Sequence, residues 1–284
     1  MNSPQIFDHT NCRLGEGAFW HPLRAQLFWF DILAKRLLTR QRGQTITWQF
    51  EEHISAAGWI DGDGLLVASE TGLWAFDIKS GLRKLVVPLE ADNPLTRSND
   101  GRADRQGGFW ISTMGKSSQA GVGAIYRFYR GELRKLYGGI TIPNAICFSP
   151  EGEYAYFTDT ITRLIMRQKL DQEGWPIGDP IIFIDLSVKG LNPDGAVIDA
   201  AGCIWNAQWG ASRIARYAPD GELISTVSLP AVQVSSPCLG GPNLSTLYVT
   251  SATEGLDVAE ETDGMTFFVE TEAHGQAEVP IVLS

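Results

Sequence analysis

Apolar positions fall in short runs, alternating or continuous, each bounded by Gly, Asp, Asn or Pro. That is the pattern of strands. Long stretches of 3.6-residue periodicity are missing, so little helix is expected. The runs also repeat. A turn, usually with Gly, followed by an apolar or aromatic pair appears as PLRAQLF, DGDGLL, DRQGGFW, SPEGEYAYF, DAAGCIW and GGPNLSTLY. The second member of each pair falls at Phe28, Leu66, Trp110, Phe157, Trp205 and Tyr248, at spacings of 38, 44, 47, 48 and 43. Units of this length match four-stranded propeller blades. The prediction is an all-β, six-bladed β-propeller with four-stranded blades, forming a single domain over residues 1–284. A TIM barrel would need eight helices, and a β-sandwich would not give this spacing.

The repeat aligns a second set of positions. About five residues ahead of each turn stands a side chain bearing oxygen: Glu16, Ser55, Asn99, Asn144, Asp194 and Ser236. The first strand of a blade lines the central channel, so these six form a ring at one mouth. Glu16, Asn144 and Asp194 then supply two carboxylates and an amide oxygen, donors suited to a hard divalent cation. A carboxylate pair facing a dry channel needs a counter-charge, or one member stays protonated. The competing reading of each residue singly is a strand-end group bonded to local backbone.

Composition narrows the partners. The chain has 284 residues, 44% hydrophobic and 20% charged, with a net charge of −10. The charge argues against nucleic acid and against an anionic membrane surface. No apolar run approaches the length of a membrane helix, and the N-terminus lacks a signal-peptide pattern, so a cytoplasmic location is expected. Cys12, Cys147, Cys203 and Cys238 are scattered without a CxxC pair and read as buried small hydrophobes. GKSS and GVGAIY fail as phosphate-loop and dinucleotide motifs, and no G-x-S-x-G elbow occurs. None of His9, His21, His53 and His274 sits in the ring register, which disfavours a histidine-zinc site. His21 is read as a turn residue. Asp159 and Tyr156 are read as braces of their blade, and the segment around Lys116 as an exposed loop beside the mouth.

The motifs LGEGAFWHP, RSNDGRADRQGGFWISTMG, GAIYRF, IPNAICFSPEGEYAYFTDT and LNPDGAVIDAAGCIW together resemble the senescence-marker protein/gluconolactonase/regucalcin family, from about Leu14 to about Ala252. The resemblance implies a sugar lactonase on a six-bladed propeller with one divalent ion (Ca, Mg, Mn, Zn or Fe). It implies Glu16, Asn144 and Asp194 as metal ligands, and Arg97 and Asn99 as substrate-binding residues. The segment after STM has no acid where vertebrate members contact substrate with glutamate, so their preference does not carry over. The expected activity is hydrolysis of an aldono- or aldarolactone, a small-molecule sugar lactone, to the sugar acid, with Asp194 as candidate catalytic base. Two other readings stay open: a related propeller hydrolase of other esters or organophosphates, and a non-enzymatic ion-binding propeller.

Overall fold

The computed structural model describes residues 3–284. Its strands form six four-stranded antiparallel sheets arranged as the blades of a propeller. No helix occurs among the described residues. The six positions of the turn repeat all lie on the second strand of a blade: Gln26–Asp31, Gly64–Ser69, Phe109–Gly115, Tyr154–Asp159, Ile204–Trp209 and Thr246–Ala252.

Burial grades from channel to rim. Second strands such as Gln26–Asp31 and Phe109–Gly115 are buried at every residue, which is why they read as continuous apolar runs. Outermost strands such as Gln44–Gln49 and Leu223–Ser228 are mostly exposed and polar. The core is divided. Six apolar clusters lie one between each pair of neighbouring blades. The tryptophans hold these seams: Trp29 between the first and last blades, Trp110 between the third and fourth, Trp205 between the fifth and sixth. The four cysteines are buried and unpaired.

Two features closing the ring were not read from the sequence. The sixth blade takes its outermost strand, Gln5–Asp8, from the start of the chain, paired with Thr266–Glu270. Residues 271–284 then form a strap on one face. It bonds the fifth blade through Ala200 N–H to His274 O (2.7 Å), the sixth through Gly275 N–H to Leu244 O (2.7 Å) and the second through Ile281 N–H to Trp59 O (2.9 Å). Val282 N–H donates to Gly107 O at 2.8 Å on the third. Under the strap Arg102 Nη1 meets Glu278 Oε1 at 2.5 Å, with both side chains mostly buried.

Candidate active site

The ring positions sit on the innermost strands Gly15–His21, Ile54–Trp59, Thr96–Ala103, Pro143–Phe148, Asn192–Ile198 and Gln233–Gly240. Each of these strands slips register by one residue against its neighbour at or beside the ring position. The breaks fall between Glu16 and Phe19, Ile54 and Ala56, Ser98 and Gly101, Asn144 and Cys147, Pro193 and Ala196, and Val234 and Pro237. A bulge of this kind bends the strand and re-aims a side chain. It explains how a ring residue leaves the ladder and faces the mouth.

The local sequence supports these bulges. Gly17 has φ +58°, and a Cβ there would lie 2.1 Å from the Ser55 carbonyl oxygen of the next blade. A Cβ on Gly15 would lie 2.4 Å from Ser251 O on the other side. Glu16 is thus presented from a point where two neighbouring backbones leave no room for side chains. In the fourth blade Ala145 adopts φ +57° right after Asn144, an unusual conformation for a residue with a Cβ. Asp100 Oδ2 accepts the Ile146 N–H at 2.7 Å and braces that bulge.

The ring divides in two. Glu16, Asn99, Asn144 and Asp194 line one cavity of about 230 Å³ at the mouth, together with Arg97. Ser55 and Ser236 do not line it. Ser55 Oγ donates to Asn99 O at 2.5 Å, and Ser236 Oγ accepts the Ala18 N–H at 3.2 Å, so both serines tie adjacent blades together. A hydrogen-bonded chain sets the amides. Arg97 Nη1 donates to Asn99 Oδ1 (2.8 Å), Asn99 Nδ2 to Asn144 Oδ1 (3.0 Å), Asn144 Nδ2 to Thr160 Oγ1 (3.0 Å) and Thr160 Oγ1 to Pro193 O (2.8 Å). Asn144 Oδ1 keeps a second lone pair for another partner.

Glu16 and Asp194 are both buried, and among the described residues Glu16 accepts only its neighbour's N–H, from Gly17 at 3.2 Å. Burial first, then the Asp100 charge, pushes the Glu16 carboxyl up to about 8. Burial, then Glu16, raises the Asp194 carboxyl well above its ordinary range. Burial lowers the Arg97 guanidinium, against the pull of Glu254, Glu16 and Asp194. Two buried acids with no ion pair among the described residues, beside an amide oxygen, fit a hard divalent cation. Among the described residues no three His, Cys, Asp or Glu side chains cluster at metal-binding spacing.

Other sequence expectations resolve as follows. Asp159 accepts the Thr141 and Ile142 N–H groups at 2.9 and 3.0 Å and braces the entry to Pro143. His21 ends an innermost strand rather than occupying a turn, is buried, and contacts Asp61 O at 3.0 Å through Nε2. His53 meets Glu70 and does not line the cavity. Lys116, read as an exposed loop residue, lines the cavity, as does Trp209. Leu14, Leu33, Ile142 and Glu254 were missed. The repeat held a signal for some of them: Leu33, Lys116, Thr160, Trp209 and Glu254 all stand at or just past the end of a second strand. The same register that found the inner ring would have found this outer one.

Fold and site together define a six-bladed propeller with an oxygen-rich pocket at one channel mouth. The chain belongs to the SMP-30/Gluconolactonase/LRE-like region family, whose model matches residues 14–253. The chain is accordingly an enzyme of gluconolactonase type. It is similar to a calcium-binding protein, regucalcin, of Agrobacterium tumefaciens, with a TM-score of 0.95 and 38% identity, covering 98% of this chain and 97% of that one. It is 36% identical to an L-arabinolactonase of Azospirillum brasilense, over 87% of this chain and 83% of the relative. It is 32% identical to a 6-deoxy-6-sulfogluconolactonase of Pseudomonas putida, over 88% and 87%.

Proposed function

We propose that the chain hydrolyses a sugar lactone to its sugar acid, with one divalent cation held by Glu16, Asn144 and Asp194. The observation that carries this reading is the convergence of two buried carboxylates and an oriented amide at one mouth, beside a buried arginine. The similarity to L-arabinolactonase and to 6-deoxy-6-sulfogluconolactonase supports the lactone as substrate class. The similarity to a calcium-binding regucalcin supports the cation, and an all-oxygen donor set suits Ca²⁺, Mg²⁺ or Mn²⁺ better than Zn²⁺ or Fe²⁺.

Bound there, a divalent cation supplies Lewis-acid polarisation of the lactone carbonyl. The chain's own residues do the rest. Arg97 donates to the sugar's oxygens, while Asn99, whose Nδ2 hydrogens go to Pro143 O and Asn144 Oδ1, accepts a sugar hydroxyl at Oδ1; the Arg97–Asn99 hydrogen bond fixes both side chains in advance. Leu14, Leu33 and Ile142 give the cavity an apolar wall that limits water. Asp194 is the base: with the cation offsetting the charge of Glu16, its carboxylate takes a proton from the attacking water. The water oxygen bonds to the carbonyl carbon, the ring C–O bond breaks, and the proton passes to the departing ring oxygen. The product is the open hydroxy acid.

The test is acid release from a panel of pentono- and hexonolactones after metal removal and stepwise return of single cations. Activity lost on chelation, restored by one cation and reduced at least about a thousandfold in Asp194→Ala is expected. No rate above spontaneous opening on any lactone, or full activity in Asp194→Ala, defeats the reading.

A further inference from the structure

The cavity wall is polarised by charge. Its acids come from the first, fifth and sixth blades: Glu16, Asp194 and Glu254. Its cations, Arg97 and Lys116, both come from the third, which lies opposite the sixth in ring order. Glu16 and Asp194 are matched by the divalent cation proposed above. Lys116 is paired with Glu70, and Glu254 exerts the largest opposing charge on Arg97, so the third-blade side offers the N–H groups left over from these pairings.

Lys116 is fixed in place. It follows directly on the strand Phe109–Gly115, and its N–H donates to Leu95 O at 2.8 Å. Its Nζ lies 2.6 Å from Glu70 Oε2 of the second blade, and His53 Nδ1 meets that same oxygen at 2.9 Å. Burial pushes the Glu70 carboxyl up, but hydrogen bonds from Lys116 and His53 outweigh it and hold it below its ordinary range. Glu70 is thus a standing anion that anchors the lysine across a blade seam. An ammonium has three N–H groups, and Glu70 engages one. Arg97 is similar: its Nη1 donates to Ser98 O and Asn99 Oδ1, while its remaining N–H groups have no acceptor among the described residues and are not sealed from the cavity.

In lactone opening, negative charge develops at the carbonyl, beside Glu16, Asn144 and Asp194. A second anchored cation is not needed by a neutral sugar, whose hydroxyls are met as well by uncharged donors. We propose that the preferred substrate is a lactone bearing an anionic group, a carboxylate or sulfonate, at the end remote from its carbonyl, received by Lys116 and the open edge of Arg97. This rests on the lactonase reading and narrows its substrate class.

The experiment compares three hexonolactones that differ only at the terminal carbon: hydroxymethyl, carboxylate and sulfonate. With the cation-loaded protein at neutral pH, kcat/KM for at least one anionic lactone is expected to exceed the neutral one about tenfold or more, mainly through KM, as for one charge-assisted contact. In Lys116→Met the anionic-to-neutral ratio is expected to fall about tenfold, and Lys116→Arg to retain most of it. Equal efficiency on all three lactones in the unaltered protein overturns the inference and leaves the lactonase reading standing. A ratio unmoved in Lys116→Met also overturns it. No hydrolysis of any of the three overturns the inference, and the lactonase reading falls with it only if the pentonolactones of the panel above are also left intact.

Discussion

Asn144 has both ends of its amide engaged, accepting from Asn99 and donating to Thr160. A carboxylate at this position loses the donor to Thr160 and adds a third negative charge beside Glu16 and Asp194. Asn144→Asp is therefore expected to bind the cation at least about tenfold more tightly and to hydrolyse more slowly, because a better-neutralised ion pulls less on a carbonyl. Calorimetric titration with steady-state kinetics checks this; affinity and rate moving together would count against it. Gly17→Ala puts a methyl against the Ser55 carbonyl at a left-handed φ. A loss of more than about 3 kcal/mol is expected in urea denaturation. At this scale the sequence was most legible where a side chain carries its own chemistry. Glu16, Asn144 and Asp194 stood out by type and register, and they do meet at one cavity. Ser55 and Ser236 shared the register, but their hydroxyls are taken by neighbouring backbone, which sequence spacing cannot show.

The strand repeat was visible because second strands are buried on both faces and so read as uniform apolar runs. The bulges were invisible as such. They appear in the sequence only as Gly-Glu-Gly and Asp-Gly, whose need for close backbone approach is a relation between blades. The strap was hidden for a similar reason: residues 271–284 have no periodicity and gain their place from partners on the second, third, fifth and sixth blades. Glu278 is its charged anchor, and a mostly buried Arg102 loses its ion-pair partner without it. Glu278→Ala is expected to cost about 3 kcal/mol, read as a lowered melting temperature in a thermal scan, with Glu278→Asp recovering part of it. A melting temperature equal to that of the unaltered protein would show that the strap is dispensable.

Across the whole molecule, the site works against the stability of the metal-free fold. Glu16 has a folded-state value of about 8 against an ordinary 4.5, so between these limits the folded state holds a proton that the unfolded chain releases. Stability from this group is full below about 4.5 and is lost as pH rises through 8. Chelated protein is expected to melt at a lower temperature at pH about 8.5 than at about 6, and a divalent cation to raise melting more at the higher pH. Thermal scans with chelator and with cation at both pH values decide it; a shift of equal size at both would contradict it. The closure of the ring has one more consequence. The strand Gln5–Asp8 is synthesised five blades ahead of its partner Thr266–Glu270. The first blade therefore waits, with Glu16 in place but no sixth blade beside it, until Thr266–Glu270 has left the ribosome. A nascent chain would carry the acid but no closed channel to desolvate it. On this account catalytic competence begins when Thr266–Glu270 pairs with Gln5–Asp8, in one step rather than blade by blade.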